Sequence, residues 1–157
     1  MMDEWSASQK VFLALIIAGI VMSLFGLMIY INRGSDGGKV TLESGVEYIV
    51  QETSNSGDSA RAGRIVSFYY TGTLEDGTVF DTNVDLEPIT VLLGDNNLIA
   101  GFEEGMYGMK EGEIRTIIVP PERAFGAEPQ PGIPPNSTLT YEVELISVDR
   151  PEDLNDQ

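Results

Sequence analysis

The sequence contains no cysteine and no histidine, and it has only nine lysines and arginines against 25 aspartates and glutamates. Without cysteine there can be no disulfide, no thiol nucleophile, no thiolate zinc site and no lipidated N-terminal cysteine. Without histidine the chain lacks the usual general base at neutral pH and the commonest metal ligand. Its formal charge of −16 would repel a phosphate backbone, so nucleic acid is not an expected partner.

What the chain does contain is 42 % hydrophobic residues, 17 glycines and eight prolines. This hydrophobic content is too high for a disordered chain, and so much glycine and proline is unlike a helical bundle. The length of 157 residues suits one domain of about 100–150 residues with a short accessory segment. Residues 1–40 carry three acids and three bases, whereas residues 41–157 carry 22 acids and six bases. All of the net charge therefore belongs to the second part.

Residues 11–31 form a run of 21 residues without a charge. A helix of that length spans roughly 30 Å, the thickness of the hydrocarbon core of a bilayer. We predict a single transmembrane helix, a signal anchor, at 11–31, after an N-terminal tail at 1–10 and before a linker at 32–43. A buried core helix is less favoured because no other segment is long enough to surround it. A signal peptide cleaved near 35–37 is the serious alternative, although its apolar region is usually about 7–15 residues long.

Beyond the linker, apolar and polar residues alternate, as in strands that have one buried and one solvent-facing side. The alternating apolar runs are Val46-Tyr48-Val50, Val66-Phe68-Tyr70 and Leu139-Tyr141-Val143-Leu145. Another strand is predicted at 113–119, where prolines 120 and 121 would stop it. Asp76-Gly77 is a turn signal between two further extended segments. We expect four or five strands in an antiparallel sheet.

One short helix is predicted because four apolar residues fall on a single stripe: Leu98, Ile99, Phe102 and Met106. Glu103 and Glu104 are expected to face solvent, Asn96 or Asn97 to cap the helix, and Gly105 or Gly108 to end it. A sheet with one helix on its face gives the α+β fold class. The proline-rich segment 125–135 is predicted to be an ordered loop or a lid.

Two segments begin like ligand-binding motifs and then depart from them. Residues 81–85 start like a calcium loop, but Leu86 replaces the required glycine and Leu92 the bidentate glutamate, so a solvated loop is expected. Residues 34–39 are glycine-rich like a phosphate loop, but the spacing is one residue short and Val40 replaces the hydroxyl residue. No metal site and no cofactor are therefore predicted.

Seven short motifs follow one another in order: Tyr70-Thr-Gly72-x-Leu74-x-Asp76-Gly77, Val79-Phe80-Asp81, Leu93-Gly94, Leu98-Ile99-x-Gly101-Phe102-Glu103-Glu104-Gly105-Met106, Pro120-x-x-x-Ala124-Phe125-Gly126, Gly132-Ile133-Pro134-Pro135 and Leu139-x-Tyr141-x-Val143-Glu144-Leu145. Together they resemble the FKBP-type peptidyl-prolyl isomerases, the macrolide-binding immunophilin family. The resemblance covers about 44–148 and leaves an acidic C-terminal tail at 149–157. It implies a twisted antiparallel β-sheet wrapped around one short α-helix.

The resemblance implies catalysis of cis/trans rotation about X-Pro bonds, which has an uncatalysed barrier of about 18–20 kcal/mol. No bond breaks, so neither a nucleophile nor a histidine is needed. The twisted transition state loses amide resonance and charge separation, so an apolar pocket that excludes water should favour it. The expected partners are proline-containing polypeptides and, with reduced affinity, macrolide inhibitors of the tacrolimus or rapamycin type.

The same resemblance assigns roles to individual residues. The catalytic set is Tyr70, Phe80, Asp81, Ile99, Phe102, Phe125 and Tyr141, and the substrate-binding set is Leu98, Ile133, Ile89 and Gln130. Phe102 would form the floor beneath the proline ring, the N–H of Ile99 would hold a substrate carbonyl, and Asp81 would supply the carboxylate of the pocket wall. From spacing alone, ordinary core packing would be the preferred interpretation of the aromatic residues.

Four positions depart from the family's pattern. Phe102 replaces a tryptophan, Phe125 replaces a tyrosine whose hydroxyl binds a carbonyl, Gln130 replaces a histidine, and Leu86 lies about where an arginine pairs with the pocket carboxylate. These differences predict weaker substrate orientation and weaker macrolide binding. They leave a non-catalytic proline-binding or holdase module as the alternative, and an anchored scaffold with an acidic working face as a third hypothesis.

The charges on the two sides of the predicted span are nearly balanced, so the positive-inside rule does not settle the orientation of this single-pass chain. Because members of the family that carry N-terminal signals are exported, we expect the isomerase domain to be extracytoplasmic.

Overall fold

The computed structural model describes residues 38–54 and 57–152. The predicted tail at 1–10, the predicted transmembrane helix at 11–31 and the first part of the predicted linker lie outside the described residues. Residues 153–157 of the predicted C-terminal tail lie outside them too. In the two described ranges, no helix is both long enough and apolar enough to cross a bilayer.

Seven strands form one antiparallel sheet in the described residues. Their bounds are β1 Val40–Thr41, β2 Glu47–Glu52, β3 Ile65–Thr73, β4 Val79–Thr82, β5 Ile89–Leu92, β6 Ile114–Val119 and β7 Leu139–Asp149. The order across the sheet is β1-β2-β6-β7-β3-β4, and β5 pairs with the other end of β3. The expected number of four or five strands was too low, and β1 lies inside the segment predicted to be linker.

The long strands follow the alternation of the sequence. Along β7, Leu139, Tyr141, Val143 and Leu145 are buried while Glu142 and Glu144 are exposed, as predicted. Strand β6 ends at Val119, directly before the two prolines. The Asp76-Gly77 turn joins β3 to β4, and Gly77 has a φ of 85°, a left-handed conformation that glycine adopts without steric cost.

One α-helix, α1 at Ala100–Met106, packs on β6 in the described part of the chain. Gly101 and Gly105, one turn apart, face the strand. A Cβ on Gly101 would lie 2.5 Å from Val119 Cγ1, and one on Gly105 would overlap Ile117. The two glycines therefore let the helix approach the sheet closely, as residues without a side chain allow.

Two predictions about the helix were wrong. The N-cap residue is Ile99, which makes no side-chain capping hydrogen bond, so neither Asn96 nor Asn97 caps the helix. Glu103 does not face solvent: it is 7 % exposed, because its Oε1 accepts hydrogen bonds from the Gly94 N–H and from the Tyr107 hydroxyl. A carboxylate with two donors is compatible with burial.

The C-terminal end of α1 is closed by a buried guanidinium. Arg115 Nη1 donates to the carbonyl oxygens of Gly105 (2.8 Å) and Tyr107 (3.1 Å). Its Nε donates to Glu113, 2.8 Å away, and its Cζ lies 4.2 Å from the centroid of the Tyr48 ring. Arg115 thus supplies donors to carbonyls that a helix end leaves without partners.

Candidate active site

Five aromatic rings come together where α1 lies against the sheet. They are Phe68 and Tyr70 on β3, Phe80 on β4, Phe102 on α1 and Tyr141 on β7. Phe102 and Tyr141 are stacked, with ring centroids 4.2 Å apart and an interplanar angle of 22°. The other ring pairs have centroid distances between 5.7 and 6.2 Å. We call these five residues the aromatic cluster.

Strand register explains how residues so distant in sequence meet. In the β3–β7 pairing, Tyr70 lies opposite Val143 and Gly72 opposite Tyr141, so Tyr70 and Tyr141 occupy the same face of neighbouring strands. Gly72 has a second role. A Cβ at that position would lie 2.5 Å from Phe80 Cζ, so the absent side chain makes room for the Phe80 ring.

A polar pair borders the aromatic cluster. The Tyr70 hydroxyl donates a hydrogen bond of 2.5 Å to Asp81 Oδ2, a partner for Asp81 that sequence patterning did not predict. Burial and the Asp81 carboxylate raise the pKa of Tyr70 well above its ordinary value. Burial, together with Tyr70 and Asp81, raises the pKa of Tyr141 in the same direction. Both hydroxyls therefore stay protonated at neutral and moderately alkaline pH.

Asn83 fixes the loop beside this pair. Its Oδ1 accepts from the Tyr70 N–H at 2.7 Å, and its Nδ2 donates to the carbonyl oxygens of Phe68 (3.1 Å) and Glu87 (3.3 Å). With 4 % of its surface exposed, Asn83 is buried, so the expectation of a solvated loop was wrong at this residue. The side chain holds the β4–β5 loop against β3.

The entrance to α1 carries Leu98 and Ile99, both half-buried against the core. The Ile99 carbonyl accepts from the Glu103 N–H at 3.0 Å, whereas no hydrogen bond among the described residues uses the Ile99 N–H. As the N-cap residue, Ile99 has no intrahelical acceptor for its own N–H. Glu103 ties this segment to the helix through its bond from the Gly94 N–H.

A family model described as FKBP-type peptidyl-prolyl cis-trans isomerase matches residues 57–146, more than half of the chain. The chain belongs to this family. It is therefore a peptidyl-prolyl cis-trans isomerase by family, as the resemblance of its motifs predicted.

Known relatives agree with this assignment. The isomerase is 44 % identical over 103 residues to the FK506-binding protein of Neisseria meningitidis serogroup C, a match that covers 64 % of this chain and 94 % of that protein. It is also 44 % identical over 99 residues to FK506-binding protein 2 of Yarrowia lipolytica, covering 62 % and 69 % of the two chains. Among solved structures it is similar to FkpA from Escherichia coli, with a TM-score of 0.66, 28 % identity and coverage of 94 % of this chain and 75 % of that one. The predicted sheet with one short helix is confirmed as the family fold.

The remaining residues that sequence motifs assigned to the isomerase site divide into two groups. Ile133, Ile89 and Phe125 lie on or against the same hydrophobic core as the aromatic cluster, and Ile89 is opposite Phe68 in the β3–β5 pairing. Gln130 forms a tight turn: its N–H donates to the Ile133 carbonyl (3.1 Å) and its carbonyl accepts from the Ile133 N–H (2.9 Å). The contacts described for Gln130 are with Ile133, not with the aromatic cluster.

Sequence patterning missed two residues of the candidate site. Phe68 was predicted only as a strand residue, yet its ring contacts Tyr70 and Phe102. Its position two residues before Tyr70 was the available signal, because side chains two apart share a strand face. Asn83 carried no such signal, since its partners come from another strand and from a turn.

Proposed function

We propose that the aromatic cluster is the place where this isomerase rotates X-Pro bonds, with Phe102 beneath the proline ring. The observation that carries the proposal is the stack of Phe102 on Tyr141 next to the Tyr70–Asp81 pair. These side chains offer an apolar floor and one fixed polar wall. Such a combination suits a reaction in which an amide twists and no covalent bond breaks.

Exclusion of water is the proposed source of catalysis. The planar amide has more charge separation than the twisted one, so transfer from water to an apolar surface favours the transition state relative to the ground state. The Ile99 N–H has no acceptor among the described residues. It is therefore available to donate a hydrogen bond to a substrate carbonyl next to the twisting bond. Asp81 orients the Tyr70 hydroxyl and thereby fixes the edge of the pocket.

We further propose that the isomerase binds FK506-type ligands more weakly than family members that carry a tyrosine at the position of Phe125. Relatives in Neisseria meningitidis and Yarrowia lipolytica are named FK506-binding proteins. Phe125 lacks a hydroxyl donor, and one lost hydrogen bond costs about 0.5–1.5 kcal/mol. The loss applies to a substrate carbonyl as well as to a ligand.

An isomerisation assay tests the proposal. The full chain is mixed with an uncharged proline tetrapeptide, and relaxation of the cis form is followed at several protein concentrations. We expect a rate that rises linearly with concentration above the spontaneous rate and that a tacrolimus-type ligand suppresses. A rate equal to the spontaneous one would remove the proposal.

A holdase is the second candidate function. Three apolar side chains near the β4–β5 loop are unusually exposed for their size: Val79 at 53 %, Val84 at 49 % and Leu86 at 69 %. The three lie within eight residues of sequence, and contiguous exposed apolar patches mark surfaces that bind other chains. Suppression of aggregation of an unfolded test protein, without acceleration of the peptide, would favour this function over isomerisation.

We also propose that residues 11–31 anchor the isomerase in a membrane as a single-pass helix, with the catalytic domain outside the cytoplasm. The support is the length of the uncharged run. Protease added to intact cells should digest the domain if it is extracytoplasmic and leave it untouched if it faces the cytoplasm. Release of the chain by salt or alkaline washing would contradict anchoring.

A further inference from the structure

A cavity lies where β3 begins and β7 ends, and the aromatic cluster starts further along β3, at Phe68. It is open, has a volume of about 440 Å³, and is bordered by Arg61, Arg64 and Arg150 with Glu152 at its edge. Arg64 directly precedes β3 and Arg150 directly follows β7, and the first and last residues of those strands are paired. At about 3.3 Å per strand residue, roughly 13 Å separates Arg64 from Phe68 along the chain, and roughly 20 Å separates it from Tyr70.

The charge around this cavity is opposite to the charge of the molecule. The chain has a formal charge of −16 and five arginines in its described residues, of which three border this one cavity. The other two, Arg115 and Arg123, are paired with Glu113 and Glu104. Against the three guanidinium groups stand the carboxylates of Glu152 and of Asp58, which pairs with Arg64 at 3.0 Å. Among the residues that line the cavity, three arginines therefore stand against one carboxylate.

Arg64 has an incomplete set of partners. It is only 7 % exposed, and its Nη2 pairs with Asp58, but its buried Nη1 makes no hydrogen bond. Buried donors are nearly always satisfied, and a charged donor more so than a neutral one. Because Nη1 has almost no accessible surface, the Arg64 side chain would have to turn towards the cavity that it borders for an anion oxygen there to supply the missing acceptor. Arg61 and Arg150 are exposed, so their side chains have room to turn towards the same ligand. Arg150 also takes part in another interaction.

We propose that this cavity binds a phosphate group. Guanidinium groups donate paired hydrogen bonds to phosphate oxygens, and three arginines bordering one cavity match the several oxygens of phosphate better than the two of a carboxylate. The phosphate belongs either to a free anion or to a lipid headgroup, and both sources present the same oxygens. The site is distinct from the aromatic cluster because the two share no residue.

Amide chemical shifts of the full chain in a neutral detergent test the proposal. Inorganic phosphate is the first probe and glycerophosphoglycerol, the soluble headgroup of phosphatidylglycerol, is the second, each at constant ionic strength set with chloride. We expect saturable shifts confined to residues 61–64 and 150–152. Binding of phosphate alone assigns the site to a free anion, and binding of both probes assigns it to a headgroup as well. Shifts with neither probe would overturn the proposal.

Matched variants separate a site from general screening of charge. In the double variant Arg61→Gln/Arg150→Gln we expect affinity to fall about tenfold or more, because two of three charge-assisted donors are removed. Lys39→Gln removes a cation next to β1, where Lys39 pairs with Glu47, and should leave the affinity unchanged. Equal chemical-shift changes in the parent and the double variant would show that the arginines do not form a specific phosphate site. Isomerase activity of the double variant should equal that of the parent.

Discussion

The Phe102 side chain belongs both to the hydrophobic core and to the proposed pocket. It is only 3 % exposed, so it contributes to the core, and its stacked ring also forms the proposed floor of the pocket. Truncation to alanine would remove both contributions, since loss of a buried phenylalanine side chain costs about 3–5 kcal/mol. A substitution that keeps an apolar side chain of similar size but removes the ring separates the contribution to the core from the contribution to the pocket.

We expect Phe102→Leu to lower kcat/KM for a proline peptide about tenfold, which corresponds to about 1.4 kcal/mol of transition-state stabilisation. The flat ring that stacks on Tyr141 would be lost while the site stays apolar. Met106→Leu is the matched control, because Met106 is fully buried on the same helix and lies outside the aromatic cluster. Equal effects of both substitutions would show that Phe102 acts only through packing.

Phe125→Tyr should raise both kcat/KM and affinity for a tacrolimus-type ligand about two- to tenfold. The new hydroxyl would donate a hydrogen bond worth about 0.5–1.5 kcal/mol to a bound carbonyl. Phe125 is half-buried, so part of its side chain has access to solvent. An unchanged kcat/KM together with unchanged ligand affinity would exclude Phe125 from the site.

At the scale of elements, alternation predicted the long strands well because each has one buried face. Strand β1 has only two residues, both exposed, and β5 has four, so neither is long enough for alternation in the sequence to identify it. The predicted exposure of Glu103 to solvent was wrong for a different reason. Its Gly94 partner lies in a loop nine residues earlier, and helical periodicity contains no information about that contact. In the same way, the meeting of Tyr70 and Tyr141 depends on a register that sequence spacing cannot give.

Gly105→Ala should destabilise the domain although alanine favours helices. The gain in helix propensity is about 1 kcal/mol. The added Cβ would overlap the Ile117 side chain, and overpacking costs about 1–3 kcal/mol, so we expect a net loss or at best no gain in urea unfolding. Gly38→Ala is the control, since a Cβ there would meet no atom within 4 Å. A clear gain in stability for Gly105→Ala would contradict the close packing of α1 on β6.

Arg115→Met should lower the free energy of unfolding by about 3–5 kcal/mol, the usual cost of leaving one buried charge without its partner. Glu113 is 6 % exposed and would lose its cation, and the carbonyls of Gly105 and Tyr107 would lose their donors. Arg123→Met is the matched control. Its pair with Glu104 is partly exposed, so it should cost less than about 1 kcal/mol. Similar losses for both variants, measured in urea, would contradict the capping role of Arg115.

For the whole molecule, we expect the free energy of unfolding to fall as the pH rises above about 10. Burial, with Glu103 and Glu104, raises the pKa of Tyr107 to about 12, and the pKa values of Tyr70 and Tyr141 are raised as well. Unfolded tyrosines ionise near pH 10, so the unfolded state loses protons first and gains relative stability. Below pH 10 this contribution is fully present.

Urea titrations between pH 8 and 12 measure this effect. In Tyr107→Phe the decline between pH 10 and about 12 should be shallower than in the parent, because one group with a raised pKa is removed. Tyr69→Phe is the comparison variant. It removes the hydroxyl of a half-buried tyrosine on the face of β3 opposite to that of Tyr70. Identical pH dependence of the parent and Tyr107→Phe would show that the Tyr107 hydroxyl has no coupling to folding.

The position of β7 in the sheet has a consequence for biosynthesis. It is the last strand of the described chain, yet it lies between β6 and β3 and pairs with residues up to 84 positions earlier in the sequence. While the ribosome has not yet released β7, β3 and β6 each lack a neighbour, and their open edges invite aggregation. Domains dominated by such distant contacts fold in milliseconds to seconds. In a nascent chain the edges of β3 and β6 therefore stay open until β7 has been translated and pairs with both strands.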